Sequence, residues 1–221
     1  MAAPKVSGTR VILEGSYSTT ASLAAPTREV GNGLQTRLWL QSTAPTPATP
    51  SGWVLLAAVP CATKFKEWIY ARIGGADGTA TDNFATSWTG STFRFAEMRR
   101  ITGNSTNVGD WLVGTPTSGT GTTATFTGLK TVSAENLLLG DWNTAESSSV
   151  KSVTEGWVLD GAIWTPTHSK ELLIAGETGA LEIVFTGAED WAGVMIAIPP
   201  PPAGAPSTPR PGSLGLLGVG R

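Results

Sequence analysis

The chain has 221 residues, of which 40% are hydrophobic and 14% charged, and its formal net charge is −2. This length suits one large β domain or two small ones, and the hydrophobic content is too high for a disordered chain. The small net charge and the absence of a Lys or Arg run argue against binding to nucleic acid. The single cysteine, Cys61, excludes an internal disulfide and a Cys-rich zinc site.

Targeting signals are not apparent in the sequence. No stretch reaches the eighteen or more apolar residues of a membrane span. Residues 1–6 lack the basic start and continuous apolar segment of a secretory leader. We therefore expect no membrane partner and synthesis in a cytoplasm.

Short apolar segments with a period of two follow one another along the chain, bounded by Gly, Thr, Ser and Asn. About a dozen short strands in this pattern favour an all-β sandwich resembling a jelly roll. The predicted strands cover residues 11–13, 38–40, 53–59, 65–73, 84–88, 93–101, 111–113, 123–126, 137–142, 156–164, 172–175, 181–185 and 194–198.

The predicted strand 65–73 has the clearest alternation. Phe65, Ile69 and Ile73 fall on one face, whereas Trp68 and Lys66 fall on the other. Glu67 is the exception, because it lies on the apolar face.

An internal repeat is the most informative feature of the organisation. A shift of 104 residues places the Gly-Trp-Val-Leu of residues 52–55 on that of residues 156–159, without a gap over residues 52–75. We predict one sandwich over residues 1–198, built from two related halves at about 30–101 and 132–198. Two separate domains are the alternative. Each half alone is a single layer that needs the other to cover its apolar face.

The character of the sequence changes after Ile198. Residues 199–221 begin with four consecutive prolines and end in an apolar segment, and proline at this density favours an extended polyproline II chain. We expect this tail to dock on a neighbouring chain. The predicted contact residues are Pro199, Pro200, Pro201, Pro202, Leu214, Leu216, Leu217 and Val219.

Catalytic and cofactor motifs are not recognisable. His168 is the only histidine and falls in a predicted solvated turn, and the Gly-rich segments lack the Lys and helix of a phosphate loop. We therefore predict no enzyme activity, no cofactor and no metal. Carboxylates beside tryptophan suggest sugar chemistry, but the internal repeat favours a packing role for most of the tryptophans. Three tryptophans, if exposed, would stack on a host-surface glycan: Trp68, Trp142 and Trp164.

Four segments carry a resemblance to a known group: Thr49–Ala57, Ala71–Ile73, Asn136–Leu139 and the Trp-Ala-Gly-Val of residues 191–194 with the preceding Glu-Asp. They resemble jelly-roll virion proteins of tailed bacteriophages, of the actinobacteriophage type. The first half departs from the closing motif, with Thr89 in place of alanine.

The resemblance implies a structural protein of the virion, either a minor tail protein or a similar accessory protein. A capsid decoration or head-fibre protein is one alternative, and a carbohydrate-binding module for host attachment is another. The implied partners are other virion proteins and further copies of the chain, as a homo-oligomer such as a trimer.

Overall fold

The computed structural model describes residues 3–75, 79–145, 149–160 and 166–203, and within them the regular structure is almost entirely β. Two short 3₁₀ turns, Ala80–Asp82 and Val108–Asp110, interrupt it. The strands are β1 (Lys5–Leu23), β2 (Gly33–Leu40), β3 (Val54–Cys61), β4 (Phe65–Ile73), β5 (Phe84–Thr102), β6 (Leu112–Val113), β7 (Thr117–Phe126), β8 (Lys130–Thr131), β9 (Asn136–Thr144), β10 (Val150–Val153), β11 (Val158–Leu159), β12 (Thr167–Leu172), β13 (Gly176–Glu177) and β14 (Leu181–Ile198).

The strands form two large antiparallel sheets and one two-stranded sheet. The first sheet has the order β1-β5-β2-β4-β3, and the second has the order β10-β14-β9-β12-β11. Strands β6 and β7 also pair with β14, and β8 pairs with β13. The all-β class predicted from the period of two is confirmed, and the arrangement is that of a β-sandwich.

The two large sheets pack face to face, and each also buries its outer face. A central apolar cluster combines β4 residues such as Ile69 with β9 and β14 residues such as Leu139 and Ile196. A second cluster lies on the outer face of the first sheet, around Leu38 and Trp68. A third cluster covers the outer face of the second sheet. Both faces of β4 are therefore buried. For this reason apolar residues also occupy the face on which alternation predicted polar ones.

The antiparallel pair of β1 and β5, at one edge of the first sheet, bends over the outer face of that sheet. Its register shifts at three places, between Ser7 and Val11, Leu13 and Ser16, and Ser18 and Thr20. Bulges of this kind bend a strand. The bends allow Leu23 and Phe84, at the far end of the β1–β5 pair, to pack in the same cluster as Leu38.

Several predicted strands differ from the structure. The predicted strands 84–88 and 93–101 are one continuous strand, β5, and 181–185 and 194–198 are likewise one strand, β14. The predicted strand 172–175 is wrong, because β12 ends at Leu172, and Leu173 and Ile174 are exposed. In the predicted strand 111–113, Trp111 only caps a 3₁₀ turn. Of the predicted strand 156–164, the described strand is Val158–Leu159, and residues 161–165 lie outside the described part of the chain.

The strand pairing contradicts a gap-free equivalence at a shift of 104 residues. Val54 pairs with Ala71, so the same shift would pair Val158 with Ala175. The structure pairs Val158 with Ser169, six residues earlier in the chain. The two edge hairpins therefore differ in register by six residues.

Candidate functional site

The predicted tail contacts lie mostly outside the described residues. Leu214, Leu216, Leu217 and Val219 fall beyond Ala203, and so does most of the tail. Of the four prolines, Pro199 is held by the sandwich, because its carbonyl accepts a 2.8 Å hydrogen bond from the backbone N–H of Ser105. Pro200 and Pro201 are half-buried and Pro202 is exposed. Pro199, the first residue of the predicted tail, therefore contacts the sandwich of its own chain.

The structure places two of the three predicted glycan-stacking tryptophans in the interior. Trp68 is 1% exposed and Trp142 is 3% exposed, so neither ring offers a face to a sugar. The prediction is wrong for both, because each ring fills the outer-face cluster of its own sheet. Trp164 lies outside the described residues.

His168 is a strand residue rather than a solvated turn residue, and this corrects the sequence prediction. It lies on β12 and is buried. Its Nδ1 accepts a 3.0 Å hydrogen bond from the indole N–H of Trp142, and the two rings stack. Burial lowers the pKa of His168 below its usual value, although Asp160 acts in the opposite direction.

Between the two large sheets lies a group of buried charged and polar side chains that sequence reasoning did not assemble. We call it the inter-sheet charge cluster. Its members come from β2, β4, β5, β9 and β12, and each is at most 1% exposed. They are Gln35, Arg37, Glu67, Arg99, Asp141 and Thr167.

Arg37 is the centre of the inter-sheet charge cluster. Its Nε and Nη2 each lie 2.7 Å from Oε1 of Glu67 within the first sheet. Its Nη1 lies 3.7 Å from Asp141 in the second sheet and donates 2.8 Å hydrogen bonds to Thr167 and to the carbonyl of Pro166. One guanidinium thus connects the two sheets.

Asp141 receives the remaining donors of the cluster. Its carboxylate accepts 2.8 Å hydrogen bonds from Gln35 Nε2 and from the hydroxyl of Thr167, and it pairs with Arg99. Arg99 in turn donates a 2.6 Å hydrogen bond to Gln35 Oε1. Buried polar groups are stable only when they are paired in this way.

The two carboxylates of the cluster differ in their electrostatics. Burial raises the pKa of Glu67 to about 7, although Arg37 lowers it. The second oxygen of Glu67, Oε2, is buried without a hydrogen-bond partner in the described part of the chain. Burial also disfavours the charged form of Asp141, but Arg99 and Arg37 together outweigh burial and lower its pKa.

A partly exposed ion pair lies beside the cluster, at Glu97, which is opposite Arg37 in the strand register. Arg10, which is about one-quarter exposed, lies 3.3 Å from the buried Glu97 and 3.9 Å from Asp160. Glu67, Glu97 and Asp141 are each at most 1% exposed, so the described part of the chain presents none of these carboxylates to solvent. Such a cluster orients one sheet on the other, because a shift in packing would leave charges buried and unpaired.

The raised pKa of Glu67 predicts a pH dependence of stability. Between about pH 4.5 and 7 the folded state holds a proton on Glu67 that the unfolded state has lost, so stability falls as pH rises through this range. Glu67→Gln removes this term. We compare the free energies of unfolding of the variant and the native chain at each pH. The difference, variant minus native, should rise by about 2–3 kcal/mol between pH 4.5 and 8.

Urea unfolding at a series of pH values measures this difference. The lowered pKa of His168 makes stability rise with pH near 6, but this contribution is common to both chains and cancels. A difference that stays constant with pH would show that Glu67 is charged throughout.

No protein-family model, curated protein or solved structure matches this chain. Among the described residues no helix has the length and apolarity needed to cross a membrane.

Proposed function

We propose that the chain is a structural component of a tailed-phage virion, a minor tail protein or a similar accessory protein, that acts by assembling with its neighbours. The observation that supports assembly is the apolar character of two sheet edges. Val54 and Leu55 on β3 are exposed, and Val158 and Leu159 on β11 are more so. Both strands end their sheets in the described part of the chain.

Exposed apolar edge strands favour association. An edge strand carries unpaired N–H and C=O groups, and proteins that stay monomeric usually protect such edges with charges or a covering loop. Here each edge instead presents two adjacent aliphatic side chains to solvent. A neighbouring chain that adds a strand at either edge would satisfy the backbone groups and bury these side chains.

The two edges lie on opposite sides of the sandwich. Strand β3 packs near β7 and β14 of the second sheet, whereas Arg10 on β1 reaches Asp160, which follows β11. Contacts at opposite sides let each subunit bind two neighbours, as in a ring or a stacked array.

A duplicated origin accounts for the pair of edges. The order β1-β5-β2-β4-β3 in the first sheet corresponds to β7-β14-β9-β12-β11 in the second. The Gly-Trp-Val-Leu segments precede or open the same edge strand in both orders, at Trp53 and at Trp157. We propose that the halves descend from one unit and that the register of the second hairpin changed afterwards.

The proline-rich tail is the second proposed contact. Pro199 contacts the sandwich, so the proposed contact lies in the part of the tail that follows it in the sequence. A polyproline chain loses little conformational entropy when it docks, which favours its use as an anchor.

Labelling of intact particles tests the virion assignment. We expect peptides of the chain in purified particles of the phage that encodes it, and antibody-gold label at the tail. Label on the head would favour the capsid decoration alternative. Absence of the chain from purified particles would contradict the proposal.

An edge variant tests the mode of assembly. We expect the double substitution Val158→Lys with Leu159→Lys to reduce incorporation into particles at least tenfold, because charges on an edge oppose strand addition. Val132→Lys is the matched control, since Val132 is 91% exposed and lies outside both edges. Equal incorporation of the edge variant and the control would exclude β11 as a contact.

A further inference from the structure

A groove lies where the end of β2 meets the turn between β3 and β4. Two adjoining cavities form it, of about 220 and 640 Å³, and both are lined by Gln41 and Lys64. Ala145, which follows β9, lines the smaller cavity. The groove thus marks the place where the inner face of the first sheet extends beyond the second sheet.

Aromatic side chains form the floor of the groove. The Trp39 ring centroid lies 5.6 Å from that of Phe65 and 6.3 Å from that of Phe93. Phe93 in turn holds the Tyr17 ring edge-to-face at 5.6 Å. Tyr17 is 73% exposed, although its ring position is set by this contact. Tyr17 thus differs from the buried tryptophans, because its ring is accessible to a ligand.

Gly15 makes room for this arrangement. A Cβ atom at residue 15 would lie 2.2 Å from Cζ of Phe93. Any larger residue on β1 at this position would displace the Phe93 ring, and Tyr17 with it. The backbone of β1 therefore permits the aromatic row by carrying no side chain beneath it.

The rim of the groove is polar and nearly free of aliphatic residues. Lining side chains include Gln41, Ser42, Thr63, Lys64 and Ser91, with Ala44 and Pro45 as the small apolar exceptions. In the described part of the chain, the side chains of Gln41, Thr63, Lys64 and Ser91 are exposed and hydrogen-bond to no other group. Among the described residues that line the two cavities there is no carboxylate, and Lys64 is the one that carries a charge.

We propose that this groove binds a hexopyranose unit of a glycan. An exposed aromatic ring matches the C–H face of a pyranose, and the surrounding amide and hydroxyl groups match its hydroxyls. An aliphatic peptide would find little apolar surface beyond the rings. Lys64 accommodates neutral sugars and attracts those that carry a carboxylate.

The glycan-binding groove is separate from the assembly edges, since Tyr17 lies on neither β3 nor β11. Failure of sugar binding would leave the virion assignment intact, and failure of the virion assignment would leave the groove intact.

The test is a titration of the full-length chain with sugars, in which ¹H–¹⁵N NMR spectra measure binding at each sugar concentration. The probes are glucose, galactose, mannose, rhamnose, N-acetylglucosamine and glucuronate, each up to about 50 mM, within the range of weak single-sugar affinities. We expect saturable shifts confined to residues around Tyr17, Gln41 and Lys64 with at least one sugar. Tyr17→Ser should weaken binding about tenfold, whereas Tyr17→Phe should retain it.

Two further variants complete the design. Val132→Ser is the control for an exposed residue away from the groove and should bind as the native chain does. Lys64→Gln should weaken glucuronate binding and leave neutral sugars unchanged. The proposal would be overturned if none of the six sugars shifted groove residues, or if Tyr17→Ser bound as tightly as the native chain.

Discussion

Replacing Arg37 with methionine is expected to lower the free energy of unfolding by about 3–5 kcal/mol. The methionine fills a similar volume but leaves Glu67 and the carbonyl of Pro166 without their donor. Asp141 keeps Arg99 and Gln35, so the loss falls mainly on Glu67 and on the backbone acceptors. Urea unfolding at pH 7.5, followed by tryptophan fluorescence, measures the change.

The double variant Arg37→Met with Glu67→Met separates pairing from packing. Removal of both charges leaves no unpaired carboxylate, and we expect it to recover at least half of the loss. Lys151→Met is the surface control, since Lys151 is exposed, and it should change stability by less than about 0.5 kcal/mol. If Arg37→Met were as stable as this control, the two sheets would not depend on the inter-sheet charge cluster.

Replacing Trp68 with alanine should destabilise the fold by about 3–5 kcal/mol and leave sugar binding by the folded chain unchanged. The indole is fully enclosed by the outer-face cluster of the first sheet, with Leu38 and Tyr70. Its removal opens a cavity that the surrounding strands fill only in part. The same urea titration measures the loss, and the sugar titration is repeated below the unfolding range.

Tyr17→Ala is the matched control for this prediction. Tyr17 is also aromatic, but it is exposed, so its removal should cost less than about 1 kcal/mol of stability while weakening sugar binding about tenfold. The two variants should therefore show opposite effects. If the Trp68→Ala variant remained stable and lost sugar binding, that result would support the glycan-stacking role that the sequence suggested for Trp68.

The strand pattern shows what could be predicted without the structure. The period-two segments and Gly/Thr/Ser turns predicted the β class, and strands such as 65–73 and 137–142 agree with β4 and β9. Glu67 was visible as an irregular residue on an apolar face. A charge in that position indicates a buried partner, but the sequence did not identify Arg37, which lies thirty residues earlier.

Burial on the outer faces could not be predicted in the same way. Alternation assumes that one face of a strand meets water, whereas the bent β1–β5 pair covers that face here. Trp68 therefore stood among the candidates for glycan stacking if exposed. Tyr17, one of only two tyrosines, has no local signal that marks it as accessible, and it is its contact with Phe93 that orders it.

The sequence by itself determined that the chain forms antiparallel strands, because side-chain alternation and turn residues act over a few positions. It also determined where most of those strands lie. The tertiary structure decided which faces are covered, how β11 pairs with β12, and which charges meet between the sheets. Those features depend on contacts between residues far apart in the chain, where a bulge or a change of register changes every partner beyond it.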